Sequence, residues 1–178
     1  ADAAAIGPGL SELVNRGLRP TVVVNNAGAA YTGSLAAMPV EQWQWLFQLN
    51  VTSVFQVCQA LLPLLREGGG HIINVSSHAA RNAFPEWGAY CATKAALASF
   101  SRCLAEEERA HGIRVSTLTL GAVNTPLWDS ETVHSSFDRL FHAMVARDKS
   151  RIHATHVLRD LCGFFSLLRQ PGAPSRHP

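Results

Sequence analysis

Short runs of consecutive apolar residues alternate along this chain with longer stretches in which apolar positions recur every three or four residues. Residues 2–18 carry the helical spacing and stop near Gly17. "PTVVVNNAG" (20–28) follows, three valines running into a cluster of turn residues, which predicts a short strand buried on both faces. A long helical stretch begins around Pro39, which suits a first turn, and ends at the glycines 68–70. "HIINVSS" (71–77) is a second buried strand. A loop through Pro85 leads to a helix over residues 88–110, stopped by Gly112. "IRVSTLTL" (113–120) is a third strand, and the remainder to about Leu168 reads as mostly helical with a break near residues 147–152.

Helix and strand alternate throughout, so the pattern predicts an α/β domain with a parallel sheet. In such a sheet, function gathers beyond the carboxyl ends of the strands. Those ends are "NNAG" (25–28), Ser76–Ser77 and "LGAVNT" (120–125). Three polar clusters are thereby expected along one edge.

Composition narrows the field. Hydrophobic residues make up 47% and charged residues 16% of 178 residues, which supports one folded domain, residues 1–178. A net charge of +2 without a basic stripe argues against nucleic acid. No consecutive apolar run reaches the ~18 residues of a membrane span. Cys58, Cys91, Cys103 and Cys162 form no C-x-x-C pair and no zinc pattern, as expected of reduced thiols in a cytoplasmic protein. His153 and His156, three apart, lack further ligands nearby, so no metal is expected.

Tyr90 and Lys94 are one helical turn apart, on one face. A free phenol, with a pKa of about 10, is a poor base at neutral pH. A neighbouring cation favours phenolate and lowers that value, which would fit the pair for passing a proton to or from an alcohol or carbonyl oxygen. Ser77, at a strand end, offers a hydroxyl to hold a substrate oxygen, or is a turn residue. Asn50 sits inside the long helix, where asparagine marks a kink or an exposed position. "NNAG" offers backbone groups and a glycine for close approach, or is a plain turn. A hydrolase built on Ser77 and His78 is disfavoured, because strand neighbours point to opposite faces and no G-x-S-x-G elbow is present.

Asn-Asn-Ala-Gly after a strand, an asparagine within the next helix, serine at the next strand end and Tyr-x-x-x-Lys together resemble the short-chain dehydrogenase/reductase family, from about Asp2 to Trp128. The resemblance implies a Rossmann-like, doubly wound parallel sheet with helices on both faces. It implies hydride transfer between NAD or NADP and a small-molecule alcohol or carbonyl substrate. Tyr90 would be the acid/base, Lys94 would tune it and hold the nicotinamide ribose, Ser77 would orient the substrate, and Asn50 would support a water in the proton relay. Asn25, Asn26, Ala27 and Gly28 would line the cofactor cleft, joined by Val123 and Thr125. It also implies a homo-oligomer, dimer or tetramer, pairing through the helices at about 40–66 and 88–110.

Two departures stand out. Only 24 residues precede Asn25, fewer than a βαβ unit needs, and "GPGLSE" (7–12) lacks a preceding strand and a third glycine. The first strands and the glycine-rich phosphate turn are therefore expected to be missing, as in a segment of a longer enzyme or in a shortened, non-catalytic interaction protein. Leu120 also stands where the family usually has proline. The substrate wall is expected from residues 79–87 and 126–148, with Phe84, Trp87, Leu127 and Trp128 either facing an apolar substrate or simply packing.

Overall fold

The computed structural model describes residues 6–17 and 19–121. The expectations for Val123, Thr125, Leu127, Trp128, His153, His156 and the helical remainder lie outside the described residues. In chain order the elements are α1 (Ile6–Asn15), β1 (Val22–Asn25), α2 (Val40–Phe47), α3 (Ser53–Gly68), β2 (Gly70–Ser77), α4 (Gly88–Glu108) and β3 (Ile113–Leu120). All three expected strands form, in the order β1-β2-β3 and parallel throughout. Gly69 and Gly112, both at positive φ, turn the chain out of α3 and into β3. Gly70 lies so close to Leu65 that a Cβ there would come within 2.6 Å of the leucine Cδ2.

Alternation along β2 sends Ile72, Asn74 and Ser76 to the face covered by α3 and α4. Val23, Val54, Cys58, Leu61, Leu65, Ile72, Leu97, Leu104 and Ile113 form the core there, with Leu10 of α1 against it. The described helices thus cover one face of the sheet. The expected helices on the other face fall outside the described residues.

A polar chain crosses this apolar layer. Asn25 Nδ2 donates to Asn74 Oδ1 at 2.8 Å, Asn74 Nδ2 donates to Ser101 Oγ at 2.8 Å, and Ser101 Oγ donates to the Leu97 carbonyl. Asn25 and Asn74 are also register partners. Buried polar groups are costly unless paired, so the chain fixes β1 against β2 and β2 against α4 in one alignment. Asn25 also donates to Cys58 Sγ, whose thiol burial pushes up to about 11, an inert state.

α2 and α3 join through a π-helical turn, Gln48–Thr52, into one helix, Val40–Gly68, of 29 residues. That helix is long and apolar enough to cross a membrane by length and composition, although its apolar residues are interrupted by polar ones. Its inward positions Leu46, Asn50, Val54, Cys58, Leu61 and Leu65 recur every three or four residues and are buried within the domain. Asn50 among them is hydrogen-bonded to the loop after β1, as in a helix of a folded domain.

Candidate active site

The site is built where β1, β2 and the first turns of α4 meet. Asn26, Ala27 and Gly28 leave the carboxyl end of β1 exposed, while Asn25 turns its side chain into the interior. The neighbouring Ala29 is gripped by Asn50, whose Oδ1 accepts from the Ala29 N–H and whose Nδ2 donates to the Ala29 carbonyl, both at 2.9 Å. Nδ2 also donates to Thr93 Oγ1 at 3.1 Å, and Thr93 Oγ1 donates to the Tyr90 carbonyl. Asn50 therefore ties the β1 loop to the Tyr90–Lys94 turn, and the helix accommodates it with the π turn. Asn50 is buried there rather than exposed. Both amide hydrogens are already engaged, however, so a water held here would rest on the main chain of the turn.

Lys94 Nζ donates to the Val75 carbonyl at 3.0 Å and lies 5.6 Å from the centre of the Tyr90 ring. A Cβ added to Gly28 would stand 3.1 Å from Asn50 Oδ1 and 3.6 Å from Lys94 Nζ. The bare Cα of Gly28 thus forms a niche facing both side chains. Ser77 Oγ accepts from the Ala79 N–H, which leaves its hydroxyl hydrogen for the Tyr90 phenol. Asn50, Ser77, Tyr90, Lys94 and Gly28 are brought together.

The electrostatics differ from the sequence expectation. Burial holds the Tyr90 phenol above its ordinary value; the Ser77 hydrogen bond pulls it partway back and Cys91 opposes that. Lys94 does not lower it in this arrangement. Its ammonium is turned to the Val75 carbonyl, and burial takes the lysine itself down to about 8. Desolvation sets the direction for both groups.

A model described as short chain dehydrogenase matches residues 9–135. The chain belongs to the short-chain dehydrogenase family. The chain is similar to D-threitol dehydrogenase from Mycolicibacterium smegmatis, with 33% identity over 134 residues, 72% of this chain and 52% of that one. It is 42% identical over 109 residues to the rhamnolipid-biosynthesis 3-oxoacyl-(acyl-carrier-protein) reductase of Pseudomonas aeruginosa, covering 58% and 43% of the two chains. Among solved structures, a gluconate 5-dehydrogenase from Burkholderia cenocepacia in complex with NADP and tartrate superposes with a TM-score of 0.71 at 27% identity, over 78% of this chain and 55% of that one. The chain spans about half or less of the length of the curated relatives it matches. The α/β fold is that of the Rossmann-like structures in this family.

Sequence reasoning missed Thr93, fully buried between Asn50 and Tyr90, and Ala29, whose backbone Asn50 holds. Thr93 follows no apolar period. Only its place immediately before Lys94, facing inward with Tyr90, distinguishes it. Gly28→Ala is expected to lower the unfolding free energy by about 1–3 kcal/mol, because the new methyl would crowd Asn50, which is pinned by its hydrogen bonds. Urea unfolding checks this, and unchanged stability would show that Asn50 yields freely to the new methyl.

Proposed function

We propose that the whole protein catalyses reversible hydride transfer between NAD or NADP and an alcohol or carbonyl substrate. Tyr90 is its acid/base, Ser77 holds the substrate oxygen, and Lys94 and the Asn26–Gly28 loop serve the cofactor. One observation carries the reading. The Ser77 hydroxyl, the Tyr90 phenol, the Lys94 ammonium and the bare Gly28 backbone come from three different elements and converge. Packing alone does not explain a lysine buried at an energetic cost with a glycine niche beside it.

The residues present fit half of the cofactor. The Gly28 niche and Lys94 Nζ suit the hydroxyls of the nicotinamide ribose. Among the described residues no glycine-rich turn follows a strand and opens a helix to take the pyrophosphate. The bound dinucleotide would supply the hydride chemistry. Ser77 donates to the substrate oxygen and fixes it beside the phenol. Tyr90 gives its proton to that oxygen during reduction and takes it back during oxidation. Burial keeps the phenol protonated, the form reduction requires. Lys94 stays charged below about pH 8 and orients the ribose, while Asn50 and Thr93 hold the Tyr90–Lys94 turn against the β1 loop. The test is transfer of deuterium from stereospecifically labelled [4-²H]NADPH or NADH to ketones, aldehydes and 3-oxoacyl thioesters by the full-length enzyme. Deuterated alcohol is the expected product, and its absence across both cofactors and the panel rejects the reading.

The same reading includes a homo-oligomer paired through the long helix Val40–Gly68 and α4. Phe55, an exposed aromatic on α3, meets Phe100 of α4 edge-to-face at 6.4 Å and supports an apolar pairing surface. Phe55→Glu is expected to halve the sedimenting mass of the full-length protein, and an unaltered mass would exclude Phe55 from the contact.

A further inference from the structure

The start of α4 lacks the usual means of holding a helix N-terminus. Its N-cap is Trp87, which makes no side-chain cap hydrogen bond, and the first turn contains no acidic residue. Yet Tyr90 lies in that turn, where position matters most. Three features outside the turn compensate. The Gly33 N–H donates to the Glu86 carbonyl at 2.8 Å. Glu86 is the one non-glycine residue at positive φ (66°) among the described residues, a conformation that persists only where its surroundings enforce it. Leu35 sits directly on Gly88, so that a Cβ at Gly88 would come within 2.6 Å of Leu35 Cδ1 and 2.9 Å of Cγ. Leu35 is 59% exposed, an apolar side chain left in solvent on one side while its other side covers a glycine.

Building on the acid/base reading of Tyr90, we infer that residues 33–35 form a clasp that positions the catalytic phenol. Gly33 fixes Glu86, and Leu35 on Gly88 seats the first turn of α4. Trp87, buried between them, then presses its ring edge-to-face on Tyr90 at 5.6 Å and 79°. The clasp belongs to the same loop that carries Gly28 and Ala29, so one segment places both the cofactor-side backbone and the proton-transferring side chain. Gly88 is a glycine because the leucine occupies the space of its side chain. Leu35, Gly88 and Glu86 are positioning residues, acting through Trp87 and Tyr90.

The Tyr90 signal of the [ζ-¹³C]tyrosine-labelled full-length protein is assigned by its loss in Tyr90→Phe. Gly88→Ala is expected to shift the Tyr90 signal, because the phenol leaves the Trp87 ring, and to lower turnover about tenfold with unchanged NAD(P)H affinity. In a Leu35→Ala background, where the obstacle is gone, the same substitution is expected to produce a much smaller shift and loss. An unmoved Tyr90 signal in Gly88→Ala, or an equal effect with and without Leu35, overturns the clasp. If Gly88→Ala does not fold, Leu35→Ala alone decides: a displaced Tyr90 signal supports the clasp and a wild-type signal overturns it. The NMR readout needs neither cofactor nor substrate. Failure of Tyr90 as acid/base would appear only as undiminished turnover in Tyr90→Phe, and so stays distinguishable from failure of the clasp.

Discussion

Tyr90→Phe in the full-length enzyme is expected to lower NAD(P)H turnover by about two to four orders of magnitude, the usual contribution of a positioned proton donor. The ring stays, so its edge-to-face contact with Trp87 and the fold around it are retained. What disappears is one hydroxyl, the group that meets Ser77. Cofactor binding, followed by quenching of protein fluorescence, is expected to change by no more than about tenfold, since removing one exchangeable hydrogen bond alters binding by roughly 0.5–1.5 kcal/mol. The split between rate and binding is the diagnostic part. A variant that keeps its turnover removes Tyr90 from proton transfer, whereas one that loses turnover and binding together would make the phenol a cofactor contact only.

The pH profile carries a related expectation. With the phenol held above its ordinary value by burial, reduction by the wild-type enzyme is expected to run undiminished through neutral pH and to fall on the alkaline side. Oxidation needs the phenolate and is expected to rise in that same alkaline direction. The sequence suggested a phenol already lowered by its lysine neighbour. The discrepancy is physical: spacing shows that two groups share a helix face, but not how far water is excluded from each. Here exclusion prevails.

Other parts were legible for identifiable reasons. Three valines before "NNAG" and the apolar runs at 71–77 and 113–120 were long enough, and bounded sharply enough by glycine, to be strands and nothing else. Parallel pairing followed from the intervening helices. Tyr90 and Lys94 were legible because a helix converts a spacing of four into adjacency. The place of the Asn25 side chain was not legible: a polar residue at a strand end reads as a cleft group, and here the side chain is hydrogen-bonded inside the domain to its register partner Asn74. No local pattern reveals that, since the partner lies 49 residues away. The π turn at Asn50 and the clasp at Leu35 were hidden for the same reason, both being set by contacts between distant segments.

Lys94→Met is expected to abolish turnover while leaving the protein as stable or more stable at neutral pH. Lys94 is 6% exposed, and burial brings its pKa from 10.5 down to about 8, so keeping it charged costs roughly 3 kcal/mol. Methionine fills similar volume without that cost, although the Val75 carbonyl loses its donor and returns about 1–3 kcal/mol of it. The pH dependence separates these terms. Below about pH 8 the folded and unfolded states both carry the proton, so the cost of the buried charge is fully present and the stability difference between wild type and variant is flat. Between about 8 and 10.5 the unfolded state binds more protons than the folded one. Wild-type stability therefore rises relative to Lys94→Met, by up to about 1.4 kcal/mol per pH unit. Tyrosine and cysteine ionisation act on both proteins and cancel in the difference. Urea unfolding of the pair at several pH values measures the slope. A difference that stays flat to pH 10 would mean that the lysine is well solvated, and a solvated lysine would have no claim to be a buried charge maintained for a ligand.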